Sequence, residues 1–203
     1  MDAAAIRAGL DALAARDPVL ARELGRIGYP EPRVRERGFA TLLRTVIGQQ
    51  VSVHAAAAIW RRVEERVGTP PEPAALLALS EEEMRACGLS RQKIRYARSL
   101  AELVQAGALD LHTLPADDEP AIAQLVQVQG IGRWSAEIYL MFAEGRPDIW
   151  PAGDLAVQEG LARVFGLPAR PTEREVRTLG ERYRPHRSAL ALFTWHAYAN
   201  PAL

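Results

Sequence analysis

Val128-Gln129-Gly130-Ile131-Gly132-Arg133-Trp134-Ser135-Ala136 decides how the chain reads, together with Asp154 further on in Pro151-Ala152-Gly153-Asp154-Leu155. An apolar amphipathic run over 121–128 leads into Gly130-Ile131-Gly132, and a second run over 134–143 leaves it. Two glycines around one apolar residue let a tight turn take backbone angles that a Cβ forbids, so the spacing predicts a hairpin joining two helices. The backbone N–H groups of such a turn, with those opening the second helix, point outward and suit a phosphate oxygen. Gly-x-Gly by itself is equally how many ordinary helix pairs turn.

The same helical period runs outward in both directions. Residues 2–25 carry Ile6, Leu10, Leu13, Leu20 and Leu24 at helical spacing, divided by Asp17-Pro18 because a residue before proline avoids the helical region. After a linker at 28–32, a helix from Gly38 stops near Gly48, and Ser52 caps the next one over 53–67. Residues 68–73, with three prolines, predict a rigid loop. Ser80 with Glu83 forms a capping box for a short helix ending at Gly88, and Ser90 caps a longer one. A loop containing Pro115 and Pro120 leads to the hairpin, and Arg146 to Pro151 is extended. Helices then cover 154–165, 172–183 with a second capping box at Thr172 and Glu175, and 185–198. No stretch alternates with period two, so the fold class is all-α.

The 203 residues suffice for one domain or two closely packed lobes, and 48% hydrophobic with 25% charged residues is ordinary for a water-soluble globular chain. No apolar run is long enough to cross a bilayer. The acidic start at Met1-Asp2 lacks the basic region of a signal peptide, so an intracellular, reducing compartment is expected. The single cysteine, Cys87, excludes an intramolecular disulfide and a cysteine-held iron–sulfur cluster. The formal net charge of zero argues against indiscriminate nucleic-acid binding. Lys93 is the one lysine beside 24 arginines, a bias that owes more to base composition than to phosphate recognition. The histidines show no zinc-ligand spacing, and no cofactor is required.

Val128 to Ala136, the loop Glu144 to Asp148 and Gly153-Asp154 together resemble the helix-hairpin-helix (HhH-GPD) DNA glycosylases, and within them the alkylpurine, 3-methyladenine type II branch. Ile47-Gly48-Gln49-Gln50-Val51-Ser52-Val53, Gly88 to Lys93, and Arg184 to Ser188 running into Trp195 agree with that branch. The resemblance covers residues 36–200 in order. It implies two helical lobes with an active-site cleft between them, residues 38–146 forming the central lobe with the hairpin and 1–37 plus 147–203 the other. The chain begins directly with helices, so the extra N-terminal β domain of better-known bacterial members is not expected. A monomer acting on double-stranded DNA with alkylated bases, and on no membrane, is the expected state.

The resemblance also assigns roles. Asp154, by position an ordinary helix N-cap, matches the catalytic aspartate, where a carboxylate stabilises an oxocarbenium-like transition state or orients water. Trp134 stands where the strand-cleaving branch has a Schiff-base lysine, which implies hydrolysis without strand cleavage. Trp134, Ile138 and Trp195 would line the base pocket, where an indole face suits a cationic purine, although all three would serve equally as core residues. Gln50 would fill the gap left by the flipped nucleotide. The N–H groups of Gly130, Gly132 and Trp134 would clamp a phosphate, and Arg133 and Lys93 are candidate phosphate contacts. The carbonyls of Val126, Val128 and Ile131 would hold a monovalent Na+ or K+. Three rivals remain at this level: a sister glycosylase for oxidised or mismatched purines, a non-catalytic DNA-binding hairpin module, and a helical protein–protein scaffold with no DNA role. Which alkylated base is preferred does not follow from these residues.

Overall fold

The computed structural model describes residues 1–200 and is all-α, with twelve α-helices and no strand among the described residues. The chain divides into two compact units, residues 35–136 and residues 1–34 with 137 onward. The expected lobe ended at 203; residues 201–203 lie outside the described residues. The return to the first unit falls inside a helix, after Ala136, rather than at residue 147. The later part of that helix already belongs to the other unit's core, where the Met1 amino group donates to Met141 O at 3.3 Å.

Residues 1–34 hold α1 (Ala3–Ala14) and α2 (Pro18–Ile27). Asp2 and Asp17 cap them, and Pro18 sits at the first helical position, where a missing N–H costs nothing. The central unit holds α3 (Phe39–Gly48), α4 (Val53–Val67), α5 (Pro73–Ala78), α6 (Glu81–Ala86), α7 (Arg91–Gln105) and α8 (Asp118–Leu125). The expected caps are all made: Ser52 accepts from Ala55 N, Ser80 and Glu83 close a capping box, and Ser90 accepts from Lys93 N. Leu42, Leu43, Val46 and Ile47 of α3 are fully buried, with α7 packed against them. Burying each such side chain contributes about 1.5–3 kcal/mol.

Two expectations fail here for one reason, the tolerance of a first helical turn for proline. Pro73 closes the loop that its prolines predicted, but opens α5 as its first residue. Pro120 lies in the first turn of α8, so that helix starts at Asp118 and ends at Leu125, three residues earlier at each end than the apolar run over 121–128.

α9 (Arg133–Phe142) passes from one unit into the other. The remaining helices are α10 (Leu155–Phe165), α11 (Glu173–Gly180) with its Thr172–Glu175 capping box, and α12 (Arg187–Ala199). The end of α11 tightens into a 3-10 turn, Glu181–Tyr183. α10 and α12 pack so closely at Gly160 that a Cβ there would lie 2.0 Å from Thr194 O. Trp150 fills the space beneath Gly180 and donates from Nε1 to Val176 O at 2.8 Å. That close α10–α12 packing positions the site.

Candidate active site and nucleic-acid interface

Asp154 leaves the helical region (φ −77, ψ 123) to become the N-cap of α10, and its Oδ1 accepts the Val157 N–H at 2.9 Å. The loop before it is fixed from both sides. Asp154 N donates to Pro151 O at 2.9 Å, and the buried Gln158 amide donates to Ala152 O at 2.9 Å. The same Oδ1 also accepts Trp195 Nε1–H from α12 at 3.0 Å. One carboxylate oxygen therefore ties a helix N-terminus to an indole edge. The Trp195 ring is half-buried and meets Phe142 with centroids 5.8 Å apart at 47°. Asp154 and Trp195, picked separately from sequence, are thus brought together within one unit by the α10–α12 packing.

The hairpin is built as its glycines require. Ile131 N–H closes the turn on Val128 O at 3.0 Å, and Gln129 N–H donates to Ser99 Oγ of α7 at 3.1 Å. Gly130 has φ 82, and a Cβ on it would lie 2.1 Å from the Tyr96 ring. No other residue fits there without moving that ring. Gly132 is exposed, and a Cβ on it would meet nothing within 4 Å, so the outer side of the turn is open. Trp134 on α9 is 48% exposed, whereas Ile138 one turn later is 7% exposed. Only the tryptophan of that pair reaches the surface; Ile138 is a core residue in this structure.

Gln50 is the only non-glycine with positive φ (54) among the described residues. It is exposed at the corner between α3 and α4, beside Val51 and the 83% exposed Val53. Holding a non-glycine residue in that conformation costs about 1 kcal/mol or more, and such strain concentrates at functional positions. Gln49 has a role the sequence did not reveal: its Nε2 donates to Gly130 O at 2.9 Å, bracing the corner against the hairpin.

Lys93 is a correction. Expected as a phosphate contact, it is buried, and its Nζ donates to Ile47 O at 2.7 Å, satisfying a carbonyl in the last turn of α3. Burial pushes its pKa below the ordinary lysine value. Its long stem is drawn inward by a partner 46 residues away, which no local pattern signals. Arg133 is exposed but engaged by both Glu119 oxygens, so a phosphate would have to exchange with that carboxylate. Among the described residues no cluster of three or more His, Cys, Asp or Glu could hold a metal ion, and no helix is long and apolar enough to cross a membrane.

A family model described as HhH-GPD superfamily base excision DNA repair protein matches residues 43–185. DNA-3-methyladenine glycosylase 1 of Schizosaccharomyces pombe is 34% identical over 165 residues, 79% of this chain and 72% of that protein. The crystal structure of a DNA-3-methyladenine glycosidase from Bacillus halodurans is similar with TM-score 0.88 and 30% identity, over 96% of this chain and 90% of the other. The Schizosaccharomyces pombe 3-methyladenine DNA glycosylase in complex with abasic DNA gives TM-score 0.79 and 31% identity, over 96% and 97%.

Proposed function

The chain belongs to the HhH-GPD superfamily of base excision DNA repair proteins, and on that premise we propose that it is a monofunctional DNA glycosylase. It flips alkylated purines of the 3-methyladenine type out of double-stranded DNA and hydrolyses their N-glycosidic bond, leaving an abasic site. One observation carries the chemistry: the Trp195 Nε1–H bond to Asp154 Oδ1, which sets a carboxylate at the edge of an aromatic face. A cationic alkylated purine is attracted to such a face. Its positive charge also weakens the C1′–N bond, so no strong general acid is needed. As that bond breaks, its electron pair leaves with the base nitrogen and positive charge builds at C1′, where the carboxylate stabilises it. Water then adds to C1′ and gives up a proton.

The absence of strand cleavage follows from the amines. A lyase step needs an uncharged amine to attack C1′. Trp134 offers none, and the one lysine in the sequence is committed to Ile47 O. The corner carrying Gln50 enters the duplex, and the hairpin around Gly130 and Gly132 receives a phosphate on its N–H groups. The carbonyls of Val126, Val128 and Ile131 would hold Na+ or K+; neutral oxygens suit a monovalent cation, and Val128 O, which accepts Ile131 N–H, keeps a second lone pair. The protein works as a monomer inside the cell, where its DNA is.

Chromatography of bases released from methylated duplex DNA tests this. The expected result is free 3-methyladenine, strands that stay intact until alkali is added, and no protein–DNA adduct trapped by borohydride. Binding without release of any base would instead make the chain a non-catalytic hairpin module. A second test addresses the phosphate clamp. Gly130→Ala must adopt φ 82 with a Cβ against Tyr96, and should weaken binding to undamaged duplex about tenfold at low salt by fluorescence anisotropy. Unchanged affinity would remove the hairpin from the interface.

A further inference from the structure

The Trp195 indole has a second charged neighbour besides Asp154. The Arg33 guanidinium carbon lies over its ring, 5.8 Å from the centroid. Arg33 belongs to the segment between α2 and α3, and that segment is anchored beside Trp195. His196 Nε2 is 2.8 Å from Ile27 O, and because a carbonyl can only accept, the ring nitrogen donates. Tyr29 is held through its hydroxyl by Asp11 and beneath the Arg7 guanidinium at 4.0 Å, and Pro30 is buried. Asp154 thus meets the indole edge, and a guanidinium covers the ring face.

We propose that Arg33 is a specificity-determining residue that widens the lesion range by charge, raising excision of neutral damaged purines relative to that of the cationic ones. The inference rests on the glycosylase reading above, in which the base stacks at Trp195. Breaking C1′–N moves an electron pair onto the base in every case. An N-alkylated purine goes from cation to neutral, while a neutral lesion such as hypoxanthine goes from neutral to anion, with a proton later taken from solvent. The base gains one negative charge either way, so a fixed cation beside it speeds the chemical step for both. The bound ground state differs. Arg33 repels a base that arrives positively charged and leaves a neutral one unopposed. For the cationic lesion the faster step and weaker binding offset each other, whereas the neutral lesion keeps the whole gain.

The test is single-turnover excision on duplexes carrying one hypoxanthine or one 7-methylguanine, comparing wild type, Arg33→Ala and Arg33→Lys. Arg33 is exposed, so solvent screening limits the effect to about three- to tenfold. In Arg33→Ala the chemical rate should fall by that factor on both lesions. Half-saturation should improve by a similar factor for 7-methylguanine only, so the hypoxanthine-to-7-methylguanine ratio of kcat/KM falls three- to tenfold. Arg33→Lys, which keeps the charge, should stay within about twofold of wild type. An equal loss of kcat/KM on both lesions would make Arg33 a phosphate contact and overturn the proposal. A lysine variant that behaves like the alanine one would also overturn it, because charge would then not be the cause. Failure of the wild type to excise either base while it still releases 3-methyladenine from methylated duplex would overturn this proposal alone; failure to release 3-methyladenine as well would sink the glycosylase reading.

Discussion

Asp154→Asn is expected to lower excision of 3-methyladenine by about 10²- to 10³-fold, or roughly 3–4 kcal/mol of transition-state stabilisation, with the fold intact. The substitution isolates charge. Asparagine is as good an N-cap as aspartate, so its side-chain oxygen can still accept Val157 N–H. The same oxygen can also keep the Trp195 Nε1–H bond. What disappears is the negative charge facing the cation that forms at C1′. Thermal melting should therefore move by only a few degrees, and affinity for an uncleavable duplex by less than about threefold. Excision within threefold of wild type would remove Asp154 from the mechanism. Loss of both melting temperature and affinity would show that it serves mainly as a helix cap.

The residues that sequence pattern located best are those whose cause is local. Ser52, Ser80 with Glu83, Ser90 and Thr172 with Glu175 each bond an N–H three residues away, and every one of these caps is made. Gly130 was legible because a turn needs its φ. Asp154 was legible as a cap, and its Oδ1 makes that bond to Val157 N–H.

Long-range partnerships were not legible. Lys93 read as a surface cation because its partner, Ile47 O, belongs to another helix. The Gln49 bond to Gly130 O spans 81 residues, which no local pattern signals. Arg33 sits in a proline-rich linker, and nothing local says that Trp195 lies beneath it. Composition was equally mute, since a net charge of zero says nothing about where single arginines sit.

Gly160→Ala should be the most destabilising single methyl in the chain, because it separates the two helices that carry the site. In an open helix, alanine in place of glycine stabilises by about 1 kcal/mol. Gly160 is not open: its Cβ would lie 2.0 Å from Thr194 O and 2.6 Å from Thr194 C, and backbone cannot rotate aside as a side chain can. Thr194 is itself fully buried, with its hydroxyl bonded to Ala191 O at 2.8 Å. α12 must therefore shift as a body, at a cost of about 3 kcal/mol or more after the propensity gain. For a chain of this length that is a fall in melting temperature of roughly 6–12 °C. Gly25→Ala in α2 is the matched control, since a Cβ there meets nothing within 4 Å; it should leave melting unchanged or raise it slightly. The shift should also reach the chemistry. Trp195 follows Thr194 directly, and Asp154 caps the helix that holds Gly160, so moving α12 stretches the 3.0 Å Trp195–Asp154 bond. Residual folded Gly160→Ala protein, assayed well below its melting point, should then excise at least tenfold more slowly. If it melts at or above wild type, the two helices pack less tightly than these distances require. If it melts low but excises normally once folded, the Trp195–Asp154 bond is not what positions the carboxylate.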